Sequence, residues 1–195
     1  MQLTMTVESD LIPRFYQILG QGFVIKTQMS CSIKNLLCVE LGIHDKYLEQ
    51  RIQTVFLNGK AVDDLDSAIV EDGSTLALSG PMPGLVGATL RRDGFFAAMR
   101  SQISYDSNPA VHHDGDVKVN LKLFNLVAKE LGPDFLQRGV WLNGKHLHDF
   151  ISDNFDNLKQ GCTSLIFDNE PIELNMLLKI DFSNKIVFLR LTKLP

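Results

Sequence analysis

The chain has 195 residues, 45% hydrophobic and 22% charged, a balance that suits a folded globular chain of one domain or two small ones. Its net charge of −4 argues against the basic footprint that nucleic acid requires, and no apolar run approaches the roughly 20 residues that span a bilayer. Three cysteines without a CxxC pair (Cys31, Cys38 and Cys162) point to reduced thiols and a cytoplasmic setting, and Met1 to Asp10 lacks the basic start and apolar run of a secretory signal.

In chain order, Gln2 to Val7 alternates, with Leu3, Met5 and Val7 on one face, which predicts a half-buried strand. Residues 10–22 hold Pro13, Gly20 and Gly22 and read as a loop or short irregular helix. Phe23 to Met29 reads as a second strand, after which Ser30 is the expected cap of a helix carrying Ile33, Leu36, Leu37 and Leu41 at helical spacing and stopping at Gly42. Thr54 to Leu57 reads as a strand closed by Asn58-Gly59, the dipeptide best suited to a tight hairpin. Asp72-Gly73 predicts a turn before a strand at Thr75 to Ser79, and Gly80-Pro81-Met82-Pro83-Gly84 breaks regular structure. Ala88 to Arg92 and Phe95 to Ile103 flank Asp93-Gly94 and read as a hairpin, and Tyr105 to Asp116 reads as an exposed loop.

The rest of the chain repeats the first part. Val55-Phe56-Leu57-Asn58-Gly59-Lys60 returns as Val140-Trp141-Leu142-Asn143-Gly144-Lys145, and Asn35 to Gly42 returns as Asn125 to Gly132. Two matched segments in the same order imply two copies of one small unit. On this reading Asn120 caps a helix of Leu123, Leu126, Val127 and Leu131 that Gly132-Pro133 ends. Asn143-Gly144 then turns a second hairpin, and Gly161 precedes a late strand at Ser164 to Phe167. The tail reads as a hairpin of Met176 to Phe182 and Lys185 to Leu191.

Each copy therefore reads strand, strand, helix, strand, short strand, which is an α+β unit with one helix packed across a mixed sheet, the β-grasp arrangement. Residues 55–84, from Val-Phe-Leu-Asn-Gly-Lys through Asp72-Gly73 to Pro81-Met82-Pro83-Gly84, resemble the ubiquitin-like sulfur carriers, the small subunit of molybdopterin synthase and the thiamine sulfur-carrier protein. The resemblance implies two tandem β-grasp units, residues 1–84 and a diverged unit at 85–195 with an added hairpin. Those carriers act through a terminal Gly-Gly carboxylate. Here Gly84 and Gly87 are internal and not adjacent, so the carrier role would need cleavage, and what the resemblance leaves is a sheet surface that docks proteins.

The candidate sites each have a plain alternative. Gly84 and Gly87 followed by Arg91 and Arg92 suit a phosphate or partner contact, through backbone amides and guanidinium groups, but lack GxxxxGK(S/T) and GxGxxG, and a linker between the units is the simpler reading. His112, His113, His146 and His148, each pair beside an aspartate, suit a divalent metal, with His146 and His148 on one side of a strand; solvated loop residues are the simpler reading. Asp63, Asp64, Asp66, Glu71 and Asp72 make an acidic surface without calcium-loop spacing. No nucleophile–base pair or acid–base dyad stands out, so no catalytic residue and no cofactor is expected. The expected function is non-catalytic recognition of a protein partner through sheet edges and the inter-unit linker, with a homodimer also compatible. The other classes left open are a small-molecule or metal-binding protein and a sulfur-transfer component.

Overall fold

The structure is a computed structural model that describes residues 1–105 and 114–193. The first elements are β1 (Gln2–Val7), a 3-10 turn (Ser9–Leu11), α1 (Ile12–Gln21), β2 (Phe23–Met29), β3 (Cys31–Ser32) and α2 (Ile33–Asn35), which continues as a π-helical turn over Leu36–Glu40. Next come α3 (Asp45–Arg51), β4 (Thr54–Leu57), β5 (Lys60–Ala61), β6 (Ile69–Val70), β7 (Thr75–Ser79), α4 (Gly84–Leu90) and 3-10 turns over Ala97–Ile103. The chain continues with β8 (Asp114–Phe124), α5 (Asn125–Arg138), β9 (Val140–Asn143), α6 (Gly144–Asp153) and α7 (Phe155–Gly161). It closes with β10 (Cys162–Phe167), β11 (Glu170–Pro171), α8 (Leu174–Leu177) and β12 (Ile186–Lys193). The fold is mixed α and β built on mixed sheet, and among the described residues no helix is long and apolar enough to cross a membrane.

The chain divides into two compact units whose borders differ from the expected 84/85 division. One unit joins Met1–Phe23 to the chain from Lys129 onward, and the other is Val24–Ala128. The reason is strand pairing at long range. β1 lies parallel to β12, with Leu3 opposite Leu189 and Met5 opposite Leu191. Within Val24–Ala128, β7 lies parallel to β8, with Thr75 opposite Asn120 and Ser79 opposite Phe124. Parallel neighbours need a crossover, so their sequence neighbours cannot reveal them.

In the discontinuous unit the strand order is β11-β10-β1-β12-β9, with β10 antiparallel to β1 and β9 antiparallel to β12. The alternation expected for β1 is present, and Leu3, Met5 and Val7 are fully buried. Burying three such side chains contributes roughly 6 kcal/mol before conformational entropy is counted. The predicted irregular segment at 10–22 is a regular helix, α1, because Pro13 suits the first turn and Ile12, Phe15, Ile18 and Leu19 form a buried stripe. Phe15 packs on Phe150 of α6 at 4.8 Å between ring centroids.

In the Val24–Ala128 unit the described strand order is β2-β8-β7-β4-β5, with β4 antiparallel to β7. The hairpin at Asn58-Gly59 forms as expected, at φ +51° and +80°, and Asn58 Oδ1 also accepts the Thr75 N–H at 2.8 Å. The helix cap is Ser32, whose Oγ accepts the Asn35 N–H at 3.2 Å; Ser30, the expected cap, is buried before β3.

Other expectations are corrected. Asn120 and Leu123 lie in β8, not in a helix, because the apolar residues Val117, Val119, Leu121 and Leu123 alternate and are buried on one face. Gly132-Pro133 sits inside α5, which runs on to Arg138. A Cβ at Gly132 would stand 3.0 Å from Leu19 and 3.2 Å from Tyr16, so this glycine lets α5 approach α1 closely. The hairpin around Asp93-Gly94 is absent, and α4 and 3-10 turns occupy that stretch. Of the predicted tail hairpin only the second strand exists, as β12; Leu174–Leu177 is α8.

The repeated tetrapeptide Leu-Asn-Gly-Lys takes two different structures. Asn143 has φ −63° and caps α6, its Oδ1 accepting the N–H groups of Lys145 at 2.9 Å and His146 at 3.4 Å. A Cβ on Gly144 would lie 2.3 Å from the Phe182 carbonyl oxygen, so backbone passes where a side chain would be. Gly59 has open space but needs its positive φ. Gly59→Ala is expected to cost about 1–2 kcal/mol from backbone strain alone, and Gly144→Ala about 3 kcal/mol or more, since backbone must move. Urea denaturation of the two variants checks this, and equal losses would contradict the close approach.

Candidate functional site

The Val24–Ala128 unit carries a shallow depression of about 330 Å³. Carboxylates dominate its lining: Asp45, Glu49, Asp63, Asp64, Asp66 and Asp93, against the cations Lys34 and Arg92. Local structure places them. Asp64 Oδ1 accepts the N–H groups of Asp66 at 2.9 Å and Ser67 at 3.3 Å, an Asx-type turn. Hydrogen bonds from the Ser67 side chain and from the Asp66 and Ser67 backbone hold the Asp64 carboxyl below its ordinary value. Lys34 reaches Asp66 at 3.1 Å, and that bond raises the lysine above its usual range.

Asp63 ties this depression to the segment that follows α4. Its Oδ1 accepts the Asp93 N–H at 2.9 Å and pairs with Nη2 of Arg100. The Arg100 side chain is only 2% exposed, and its Nε and Nη1 have no hydrogen-bond partner among the described residues. A buried guanidinium held by one carboxylate makes that carboxylate structurally necessary. Tyr105 donates its N–H to the Ala61 carbonyl at 2.7 Å beside β5, so the same segment also lies along the end of the sheet.

From α4 to Ile103 the chain exposes several large apolar side chains. Phe95 is 93% exposed, Val86 71%, Met99 68% and Leu85 64%, with Phe96 and Ile103 partly exposed. Phe95 and Phe96 stack edge to face at 5.1 Å. Sequence reasoning misses this cluster because the Asp93-Gly94 turn signal makes the stretch read as a hairpin. The adjacent Phe95-Phe96 pair, close to Met99 in a segment with no regular apolar period, is the available signal.

The expected site residues fall as follows. Gly84 opens α4 with φ +79°, and a Cβ on Gly87 would sit 2.1 Å from the Met82 carbonyl oxygen, so Gly87 permits a tight helix–loop contact. Arg91 is exposed at the end of α4. Arg92 donates its N–H to the Gln53 carbonyl at 2.7 Å, and its guanidinium lies 3.8 Å from Asp93, among carboxylates. Glu71 and Asp72 do not line the depression; Asp72 Oδ1 accepts the Lys118 N–H at 2.8 Å.

His112 and His113 lie outside the described residues. His146 and His148 are on α6, not on a strand, so a two-residue spacing turns them to different directions. His148 Nε2 contacts the Leu178 carbonyl at 3.3 Å. Among the described residues no group of three or more His, Cys, Asp or Glu side chains is arranged to hold a metal ion. All three thiols are shifted up: burial pushes Cys31 and Cys162 upward, and burial together with the Asp45 carboxylate pushes Cys38 up to about 11. None is activated as a thiolate.

No family model matches this chain, and neither a curated protein nor a solved structure does.

Two outcomes follow. Asp63→Asn leaves the buried Arg100 without its counter-charge and is expected to cost about 3 kcal/mol in urea denaturation. The double variant Asp63→Asn with Arg100→Met should recover part of that loss, and additive losses would mean the pair is not coupled. Cys38 in the folded chain should react with iodoacetamide about 100-fold more slowly at pH 8 than in the unfolded chain, given a rise from 9.0 to about 11. The sign follows from the raised value: the contribution to stability is full below about pH 9 and is lost as pH rises towards 11. Peptide mapping after timed alkylation reads the rate, and equal rates would contradict it.

Proposed function

We propose that this chain is a partly diverged β-grasp protein of two units, one interrupting the other in sequence, that works by binding a protein partner and not by catalysis. The observation that carries the reading is the exposed apolar cluster from Leu85 to Ile103, with Phe95 93% exposed. Large apolar side chains left together in water mark interaction surfaces. Aromatic and methionine side chains, moreover, are enriched where proteins meet.

Supporting the grasp reading, each unit has a mixed sheet with a parallel pair inside it, β1 with β12 and β7 with β8, each flanked by an antiparallel neighbour. Supporting the non-catalytic reading, the three thiols are disfavoured as thiolates. In the depression, Asp63 and Asp64 accept backbone N–H groups, and Asp66 and Asp63 pair with Lys34 and Arg100. The stretch from Gly84 to Leu90 is helical and follows Pro83, unlike the free terminal Gly-Gly through which sulfur carriers act. On this reading Gly84 and Gly87 shape α4, and Arg91 lies exposed at its end beside the apolar cluster.

The test is a photo-crosslinking amino acid placed at Phe95, and as a control at the exposed Asp156 of α7, in the protein's own cells. A protein adduct is expected from position 95 and not from 156. An adduct of twice the chain mass identifies self-association through the same face. No adduct from position 95 above that from 156 sinks the reading.

A further inference from the structure

The apolar cluster does not stand alone, because the chain between its members Val86 and Phe95 contributes Arg92 and Asp93 to the acidic depression. Arg92 and Asp93 line the depression, Phe95 and Phe96 follow directly, and Arg100 returns to pair with Asp63 on the depression wall. Six carboxylates face Lys34 and Arg92 in that lining, and Arg100 pairs with one of them, Asp63, so the formal charge there is −3. A surface that is apolar along one side and negative along the other selects its occupant by charge as well as by area.

From that juxtaposition we infer that the segment which covers this face is a basic amphipathic stretch of a partner protein. Its apolar residues lie on Phe95 and Met99, and its lysines or arginines lie over Asp64, Asp66 and Asp93. The inference rests on the recognition function proposed above and names the chemistry of the partner. Three other occupants fit less well. A metal ion needs converging ligands, and no such group exists among the described residues, so this negative charge calls for spread-out positive groups. A second copy brings the same negative depression and no net positive charge to offset it. An anionic membrane surface is repelled by the same depression.

The experiment uses the full chain and two synthetic 18-residue amphipathic helical peptides, one of leucine and lysine and one of leucine and glutamate. Affinity is measured by fluorescence anisotropy at low and physiological salt. Three variants are compared with wild type: Asp64→Asn/Asp66→Asn/Asp93→Asn, Phe95→Ser/Met99→Ser, and a control, Asp149→Asn/Asp153→Asn/Asp156→Asn, on exposed positions of the other unit. Circular dichroism melts confirm that each variant folds; the Asp64→Asn change retains the Oδ1 acceptor that the Asx turn uses. The lysine peptide is expected to bind the wild type. Each of the first two variants should lose about tenfold in affinity, the control should lose nothing, and binding should weaken as salt rises. If the control loses as much as the acidic-patch variant, binding reflects overall charge and the inference fails. If the glutamate peptide binds as well as the lysine peptide in a Phe95-dependent way, the apolar face still recognises partners but the inferred charge is wrong. If neither peptide binds, the basic-segment inference is wrong, and the crosslink from position 95 decides the recognition function separately.

Discussion

Two parallel strand pairings between distant parts of the chain are the constraint on which the rest depends. β1 against β12 joins the first residues to the last described ones, and β7 against β8 joins segments on either side of α4. Each pairing sets a register in which the alternating apolar residues of both strands reach the same buried face: Leu3, Met5 and Val7 with Val187, Leu189 and Leu191 in one, Leu76 and Leu78 with Leu121 and Leu123 in the other. A slip of one residue in either would turn those side chains outward. The entropy of closing so long a loop grows only with the logarithm of its length, so the pairing of chain ends is thermodynamically tolerable, although it is expected to form late in folding.

Once those pairings are in place, the local chemistry of individual residues acquires its meaning. Asparagine accepts positive φ readily and also caps helices through its side-chain oxygen. Asn58 does the first and Asn143 the second, in the same tetrapeptide. Lys60 after the first copy continues into a strand opposite Leu57. After the second copy, Phe182 and Lys185 press against Gly144, whose N–H donates to the Lys185 carbonyl at 2.8 Å, and the chain turns into α6. Identical residues thus reach different minima because their surroundings differ.

The candidate site follows the same logic. Asp63 was legible as part of an acidic run, but its neighbours in sequence do not reveal Arg100, 37 residues on, which shares its carboxylate. That ion pair and the Tyr105–Ala61 hydrogen bond hold the segment from α4 to Tyr105 against its own unit, leaving Phe95 and Met99 outward. Apolar surface is retained in water at some cost to solubility, and a surface held in place by a buried ion pair is consistent with a role in binding. The acidic and apolar features therefore adjoin along one segment of one unit, and the recognition chemistry proposed for this chain rests on that junction.

The sequence by itself determined the elements whose signals are local. The alternation of β1, the Asn58-Gly59 hairpin, the turn at Asp72-Gly73, the strand at Thr75 to Ser79 and the helical stripe of Ile33, Leu36 and Leu37 were all readable, because period and turn chemistry are properties of adjacent residues. The acidic run at Asp63 to Asp66 and the exposed Arg91 were readable for the same reason. Only the tertiary structure decided which strands become neighbours, why Gly132-Pro133 continues a helix, and which of the two Asn-Gly pairs turns a hairpin. It also decided that His146 and His148 lie on a helix, and that Phe95 stays in water. Each of those depends on a contact between residues far apart in the chain, such as Thr75 with Asn120, Gly132 with Tyr16, or Gly144 with Phe182, and no pattern within a short window encodes such a contact.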